Sequence, residues 1–298
     1  MKQIFAMFSA LRRPMLTASL ALLLVFPSQG VSAAPALWRM ADEDTEIHIF
    51  GTLHVLSSDL TWLTPETQAA FLAADALIVE LDGDEIGRAG PLFTDAGRLP
   101  QGQSLRMVIG NGIYNDVQRL SRSLEIPADT FANSEPWFAG MSLSVIGLVK
   151  AGFDPASGAD KYFIAQAEEV AKPVFGLETA AQQVALFENL TIQQEKALLI
   201  DTLKQNSQLA SYFAAMQAAW VSGNLSALDH ILNDALAAAP GLQEQLLTAR
   251  NRDWADKLSQ VMDKPGRFFV AVGAGHLSGG DSLIDLLLAR GMIVSKIQ

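Results

Sequence analysis

The chain has no cysteine and few basic residues among its 298 positions. The lack of cysteine excludes a disulfide scaffold, a thiol nucleophile, an iron–sulfur cluster and a zinc–thiolate site. Lys and Arg number 21 against 32 Asp and Glu, and the formal net charge is −11. Because binding to nucleic acid requires a basic surface, we expect no nucleic-acid partner.

Several nucleophile and nucleotide motifs are also missing. The sequence contains no Gly-x-Ser-x-Gly elbow, no His-Glu-x-x-His helix and no phosphate-binding loop. Residues 273–278 do not match the Gly-x-Gly-x-x-Gly motif of dinucleotide-binding proteins, because Ser278 stands at the position of the third glycine. The remaining candidates for catalytic chemistry are carboxylates, histidines and other polar groups.

Residues 1–33 have the pattern of an export signal. Basic residues make the start of the segment positive, residues 15–26 are largely apolar, and small residues precede the end at Ala33. The apolar run is shorter than the roughly 20 residues that a membrane-spanning helix needs. We predict cleavage after Ala33 and export to the periplasm of a double-membraned bacterium. We also predict a mature chain without a membrane span. The apolar character of the run favours the general secretory route over the twin-arginine route.

Strand-like and helical segments alternate at both ends of residues 34–298, around a helical insert of about residues 110–262. The predicted strands are residues 46–50, 76–81, 173–177, 267–272 and 292–297. The predicted helices are residues 65–74, 114–124, 137–150, 159–171, 191–222, 225–238, 242–262 and 282–290. This alternation predicts a single α/β domain with a mostly parallel or mixed sheet.

Four polar residues stand at or just past the ends of four predicted strands: His54, Glu80, Glu178 and His276. The two histidines each follow a glycine by three positions, and glycine lets the chain turn sharply and lets backbone amides approach a ligand. If the four strands are parallel neighbours, their carboxyl ends share one edge of the sheet and the four side chains converge there.

Each of these residues also has a structural interpretation. Either histidine could cap a helix or satisfy a buried hydrogen bond, and Glu178 could begin the helix that follows it. Glu80 could lie at an exposed strand end. It is the more informative residue, since a carboxylate in a buried strand is unfavourable unless it is paired or bound to a metal.

Imidazole and carboxylate ligands without a thiolate suit a divalent metal such as zinc, manganese or cobalt. Two histidines and one or two carboxylates leave a position for water, whose pKa the metal lowers. A spare carboxylate can accept the proton of that water. The pattern therefore predicts a metal site that acts on a peptide or small-molecule substrate.

A series of seven short motifs resembles the TraB/GumN family, also called TraB–PrgY–GumN or Tiki-like. Two of them contain Gly51-Thr52-Leu53-His54 and Gly273-Ala274-Gly275-His276. The other five lie at residues 79–82, 136–137, 160–163, 176–179 (with Gln182 or Gln183 following) and 250–252. The series keeps its order and spacing from about residue 37 to the end of the chain.

The resemblance implies a metal-dependent hydrolase, and most specifically a peptidase. It implies that His54, His276 and Glu80 bind the metal, with Glu80 as ligand or general base and Glu178 as a second acid. It also implies that Arg250 and Asn251 face the same site and hold a substrate carboxylate or an oxyanion. One departure from the family pattern is Ala249, which stands where an acid precedes Arg-Asn.

The leading expectation is therefore an exported metal-dependent hydrolase. Two alternatives stay open. The first is a periplasmic protein that binds haem or another small ligand at the same sheet edge, because a histidine can ligate haem iron. The second is a non-catalytic interaction module on the same fold.

Overall fold

The computed structural model describes residues 34–236 and 241–298, without the side chains of residues 233–236. The predicted export signal, residues 1–33, lies outside these ranges and stays a prediction. In the described ranges, no helix is both long enough and apolar enough to cross a membrane.

A six-stranded mixed sheet lies at the centre of the described part of the chain, in the order β6-β4-β7-β2-β1-β8. Its strands are β1 (Leu37–Ala41), β2 (Thr45–Thr52), β4 (Ala76–Val79), β6 (Val174–Gly176), β7 (Gly266–Gly273) and β8 (Val294–Lys296). Strands β6, β4, β7 and β2 are parallel, whereas β1 is antiparallel to both β2 and β8. Two short strands, β3 (Leu56–Ser57) and β5 (Phe153–Asp154), pair separately. The predicted α/β class with a mixed sheet is confirmed.

Helices cover both faces of this sheet and form an additional layer beside it. They are α1 (Pro65–Ala73), α2 (Gly83–Ala96), α3 (Leu105–Ser123), α4 (Pro136–Lys150), α5 (Ala159–Glu169), α6 (Ala180–Glu188), α7 (Ile192–Gln205), α8 (Leu209–Val221), α9 (Leu225–Leu236), α10 (Ala249–Val261) and α11 (Leu283–Ala289). A π-helical segment, Glu244–Thr248, leads into α10, and a 3-10 turn, Ala274–Leu277, follows β7.

The alternation of side chains along the central strand β7 builds the two sides of the core. Phe269 and Ala271 pack against α1, α5, α8 and α9 on one face of the sheet. Val270 and Val272 pack against α10 and α11 on the other face. Because both faces are covered, the parallel strands are apolar throughout, as is usual for α/β proteins. A separate apolar cluster joins α3, α4 and α7.

The predicted single helix over residues 191–222 is wrong, because a 3-10 turn, Asn206–Gln208, separates α7 from α8. Asn and Ser side chains compete for backbone hydrogen bonds and weaken a helix at such a place. The break has a packing reason as well. Leu199 of α7 belongs to the α3–α4 cluster, whereas Met216 and Trp220 of α8 belong to the core beside the sheet.

Strands β1, β3 and β5 and helix α2 have no counterpart in the prediction, which also gave no range for helix α6. Helix α2 contains three glycines and Pro91, and none of its side chains is buried. Helix α3 begins at Leu105 instead of residue 114, with a non-helical Gly110 inside it. The remaining predicted helices and strands are present with ends shifted by a few residues. The predicted end of the helix over residues 225–238 falls outside the described ranges.

Candidate active site

The four parallel strands end at one edge of the sheet and bring the predicted polar residues together there. His54 follows β2, Glu80 follows β4, Glu178 follows β6 and His276 lies in the turn after β7. The pairing of β4 with β6 continues past the strands, because the backbone N–H of Glu178 donates to the carbonyl of Glu80 at 2.9 Å. This continuation places the two glutamates side by side.

The guanidinium of Arg250, on α10, lies between these two carboxylates. Its Nε and Nη2 donate to the two oxygens of Glu178 at 2.8 and 2.9 Å, and Nη2 also donates to Glu80 at 2.6 Å. The three side chains are 12%, 11% and 7% exposed for Arg250, Glu80 and Glu178. Burial alone would lower the pKa of Arg250, but the hydrogen bonds and charges of the two glutamates raise it. Charged pairs this deeply buried are stable only when their hydrogen bonds are satisfied.

Glu80 is held in the ionised state by its surroundings. Its second oxygen accepts a hydrogen bond from the backbone N–H of Gly273 at 2.8 Å. A Cβ at position 273 would lie 3.1 Å from that oxygen, so glycine permits this close approach. Burial raises the pKa of Glu80. The charge that His276 carries when protonated at low pH, the charges of Arg250 and His54 and the Gly273 hydrogen bond together lower it to about 2.

His276 is buried and neutral near pH 7. Burial is the largest cause and lowers its pKa to about 3. The charge of Glu80 raises the pKa, whereas the positive charges of Arg250 and His54 lower it. Its Nδ1 lies 2.6 Å from Oδ1 of Asn251, whose amide nitrogen donates to the carbonyl of Asp281. This orientation of the amide makes Nδ1 of His276 the donor, and Nε2 then accepts from Nη1 of Arg250 at 3.0 Å.

His54 lies in a different environment, at the mouth of the site, with 58% of its side chain exposed. Its Nδ1 is 3.0 Å from Oδ2 of Asp160, in the first turn of α5, and its Nε2 is 4.0 Å from Oε1 of Glu80. Desolvation lowers its pKa, but the hydrogen bond and charge of Asp160, together with the charge of Glu80, raise it to about 9. The imidazole is therefore cationic near neutral pH.

Gln183 and two unpartnered oxygens complete the polar centre. The amide of Gln183, on α6, donates to both Glu80 and Glu178 at 3.2 Å. Among the described residues, Oγ1 of Thr52 and Oδ1 of Asp160 are buried without a hydrogen-bond partner. Both belong to residues that line a cavity beside His54.

The predicted metal ligands do not fit a metal ion in this arrangement. In the described ranges, no three His, Asp or Glu side chains are grouped so that they could hold one together. The guanidinium of Arg250 donates hydrogen bonds to Nε2 of His276 and to one oxygen of Glu80, so these two atoms are not free to bind a metal. His54 and Glu80 are the two expected ligands that face each other without an intervening protein cation.

Two cavities meet at the polar centre and form one open cleft. The first cavity, of about 320 Å³, is lined by apolar residues of α2, α4 and α5. The second cavity, of about 400 Å³, is lined by apolar residues of α2, α4, α6 and the segment before α10. His54, Glu80 and Gln183 line both cavities.

All six predicted site residues lie in this region, but in unequal positions. His54 and Glu80 face the cleft, and Arg250 reaches the second cavity. Asn251 is 2% exposed, and both polar atoms of its side chain form hydrogen bonds within the protein. The sequence interpretation assigned no role to Asp160 or Gln183, although both lie in or beside the quoted motifs. Their roles depend on contacts between residues more than 100 positions apart.

Comparisons with known proteins give a family and several relatives. A family model described as the TraB/PrgY/gumN family matches residues 36–296. An uncharacterised protein of Escherichia coli (strain K12), YbaP, is 29% identical over 253 residues, which are 85% of this chain and 92% of that protein. Its counterpart in Shigella flexneri is 30% identical over 80% of this chain and 87% of that protein.

A more distant relative carries a functional name. The metalloprotease TIKI1 of Xenopus tropicalis is 23% identical over an alignment of 314 positions, gaps included, that covers 86% of this chain and 60% of that protein. No solved structure matches the chain significantly.

Proposed function

Because the chain belongs to the TraB/PrgY/gumN family, we propose that it is an exported hydrolase that cleaves peptide bonds at the centre formed by His54, Glu80 and Arg250. The observation that carries this proposal is the exposed, Asp160-held imidazole of His54 facing the buried carboxylate of Glu80 at the base of an open cleft. The name of the frog relative, a metalloprotease, supports the reaction class.

The protonation states support distinct roles for the two facing groups. With a pKa of about 9, His54 carries a proton at Nε2 near pH 7 and can donate it to a carbonyl oxygen or to a leaving amine. With a pKa of about 2, Glu80 stays negative beside it and favours the cationic imidazole. A carboxylate with so low a pKa is a weak base, so the arrangement favours acid catalysis over activation of water.

The remaining groups hold this pair in position. Glu178 fixes Arg250, and Arg250 and Gln183 fix one oxygen of Glu80 while Gly273 fixes the other. Asn251 and His276 orient the far side of the same guanidinium. Such a network keeps reacting groups in one geometry, which is a large part of what an active site contributes.

Metal dependence is part of the proposal, and its support is the relative's name and the chemistry of the donors. Imidazole and carboxylate are ligands of zinc, manganese and cobalt. For His276 and Glu80 to join His54 as ligands, Arg250 must first release both of them, since its guanidinium now uses the same atoms. We therefore derive no catalytic step through a metal from the present arrangement.

The test is metal content together with peptide hydrolysis. The full chain is recovered from cells without chelators, its metals are measured by mass spectrometry, and its action on a peptide mixture is followed with no addition and with Zn²⁺, Mn²⁺ or Co²⁺. We expect hydrolysis that falls about 100-fold or more in His54→Ala and in Glu80→Gln. The metal-dependent part of the proposal requires that Arg250 release its partners and that His54 lose a proton; it then predicts about one metal per chain in the wild type and its loss in His54→Ala.

The matched control is His230→Ala, because His230 is exposed on α9 and lines neither cavity. Circular dichroism checks that each variant is folded. Absence of hydrolysis under every metal condition, or full hydrolysis by both site variants, would overturn the proposal. Hydrolysis without any bound or added metal would remove its metal-dependent part alone.

A further inference from the structure

The two cavities of the cleft share the polar residues His54, Glu80 and Gln183, and different apolar side chains line the rest of each. The first is lined by Val55, Leu81, Ile86, Ala89, Val145 and Ile164. The second is lined by Phe93, Met141, Leu186, Phe187, Leu246 and Leu247. Each is within the size range of sites that hold small molecules or side chains, about 300–1,000 Å³.

Two helices run along both cavities, so the cleft is continuous across the polar centre. On α4, Val145 lines the first cavity and Met141, one turn earlier, lines the second. On α2, Ile86 and Ala89 line the first cavity and Phe93 lines the second. The spacing of three and four positions places the α2 residues on one helix face.

This apolar face is incompletely covered by the protein itself. Helix α2 has no buried side chain, and Ile86 and Val145 are 38% and 41% exposed. Apolar groups gathered at a cleft beside candidate catalytic residues are typical of a site that an apolar ligand covers.

We propose that the cleft binds an extended polypeptide with a large apolar side chain on each side of the bond that lies at His54 and Glu80. The inference rests on the proposed function for the identity of that bond. A polar group between two apolar groups is the pattern of an internal peptide bond flanked by residues such as leucine or phenylalanine. Successive apolar side chains enter the two cavities, while the peptide group meets His54, Glu80 and Gln183.

The unpartnered oxygens support an occupant with hydrogen-bond donors near the first cavity. Oγ1 of Thr52 and Oδ1 of Asp160 are buried without a partner among the described residues, and both residues line this cavity. Buried polar atoms normally have a hydrogen-bond partner, and the backbone N–H groups of an extended peptide are donors that can supply one. A hydrocarbon chain offers no such donor.

The test uses three positions on successive turns of α4, with the full chain as wild type. Val145→Lys adds a charge to the first cavity and Met141→Lys adds one to the second. Val149→Lys is the control, because Val149 is 52% exposed and lines neither cavity. The probe is a short dye-labelled peptide with leucine on both sides of a reduced, uncleavable central bond, and binding is followed by fluorescence anisotropy.

We expect this peptide to bind wild type about tenfold or more tightly than the same peptide with glutamate at both flanking positions. Val145→Lys should then favour glutamate on one side of the central bond, and Met141→Lys on the other side. Val149→Lys should behave as wild type. Equal binding of the two peptides by wild type, or equal effects of Val145→Lys and Val149→Lys, would overturn the inference.

Two further outcomes separate this inference from the proposed function. Binding of the leucine peptide with the expected side-specific effects, but no cleavage of the corresponding ordinary peptide, would leave the cleft occupant in place and overturn the hydrolase. Cleavage with no preference for apolar flanking residues would leave the proposed hydrolase in place and overturn the inferred cleft occupant. Binding of a fatty acid in the cleft, without any binding of the peptide, would assign the cleft to a lipid and refute the peptide occupant.

Discussion

Replacement of Arg250 by methionine tests the electrostatic structure of the site. Methionine keeps much of the apolar stem of arginine but lacks the guanidinium, whose carbon lies 4.7 Å from the centroid of the Trp254 ring. It removes the cation that Glu80 and Glu178 share and leaves two nearly buried carboxylates without their common partner.

The expected loss of stability is large. Removing one partner of a buried ion pair typically costs about 3–5 kcal/mol. The difference between the ordinary pKa of Glu80, 4.5, and its value of about 2 in the folded chain corresponds to about 3 kcal/mol. For a chain of this size, a loss of about 3–5 kcal/mol lowers the melting temperature by roughly 6–20 °C.

The loss of unfolding free energy in Arg250→Met should also depend on pH, because it depends on whether the carboxylates are ionised. In the wild type, the stabilisation from Glu80 is present above pH 4.5 and is lost as the pH falls towards 2. In Arg250→Met the pKa of Glu80 is higher than in the wild type, because the guanidinium no longer offsets its burial, so that unfavourable burial is relieved as the pH falls and the carboxylate takes up a proton. The difference between the two proteins should therefore be greatest near pH 7 and should shrink towards pH 4.

Urea unfolding followed by tryptophan fluorescence at pH 7 and pH 4 measures both effects. The control is Arg252→Met on the same helix, because Arg252 is 52% exposed and pairs with exposed Glu244, and an exposed ion pair contributes little to stability. Adding Glu80→Gln and Glu178→Gln to Arg250→Met should restore part of the lost stability. A loss below about 1 kcal/mol, or one that is the same at both pH values, would refute this reasoning.

Three other perturbations test individual contacts. Asp160→Asn removes the negative charge beside His54, and we expect the pKa of His54 to fall from about 9 when it is followed by NMR; an unchanged pKa would mean that Asp160 does not raise it. Asn251→Leu leaves the buried N–H of His276 without its acceptor and should lower the free energy of unfolding in urea by about 1–3 kcal/mol. A smaller loss would count against the assigned amide orientation. Gly158→Ala would place a Cβ 2.6 Å from the carbonyl oxygen of His54 and from Asp160, so we expect a loss of about 1–3 kcal/mol. Gly87→Ala, on α2 with no atom within 4 Å of the new Cβ, should be neutral or slightly stabilising in the same unfolding measurement.

The local pattern of the chain determined most of its elements. Alternation of apolar strands with amphipathic helices was sufficient for the α/β class. Thr64 and Pro65 begin α1 as predicted, since the Thr64 hydroxyl accepts from the third residue of the turn. The same local reading placed His54, Glu80, Glu178 and His276 at strand ends, and the parallel pairing of those strands brings them to one edge.

Elements whose existence depends on distant partners were not predictable in this way. Strand β1 forms because it pairs with both β2 and β8, and the second of these lies near the end of the chain. Helix α2, rich in glycine and without a buried side chain, has little local signal for a helix. The break between α7 and α8 follows from two separate cores that one straight helix could not fill.

The sequence by itself therefore determined which residue types are available at the sheet edge, because side-chain chemistry and strand periodicity are local properties. Only the tertiary structure decided how those residues are used. Arg250 contacts Glu80 across 170 positions, and Asp160 contacts His54 across 106. These contacts decide which imidazole is cationic, which is neutral and which atoms remain open to a ligand. The strength of an electrostatic interaction depends on distance and burial in space, and neither is written in the order of residues along the chain.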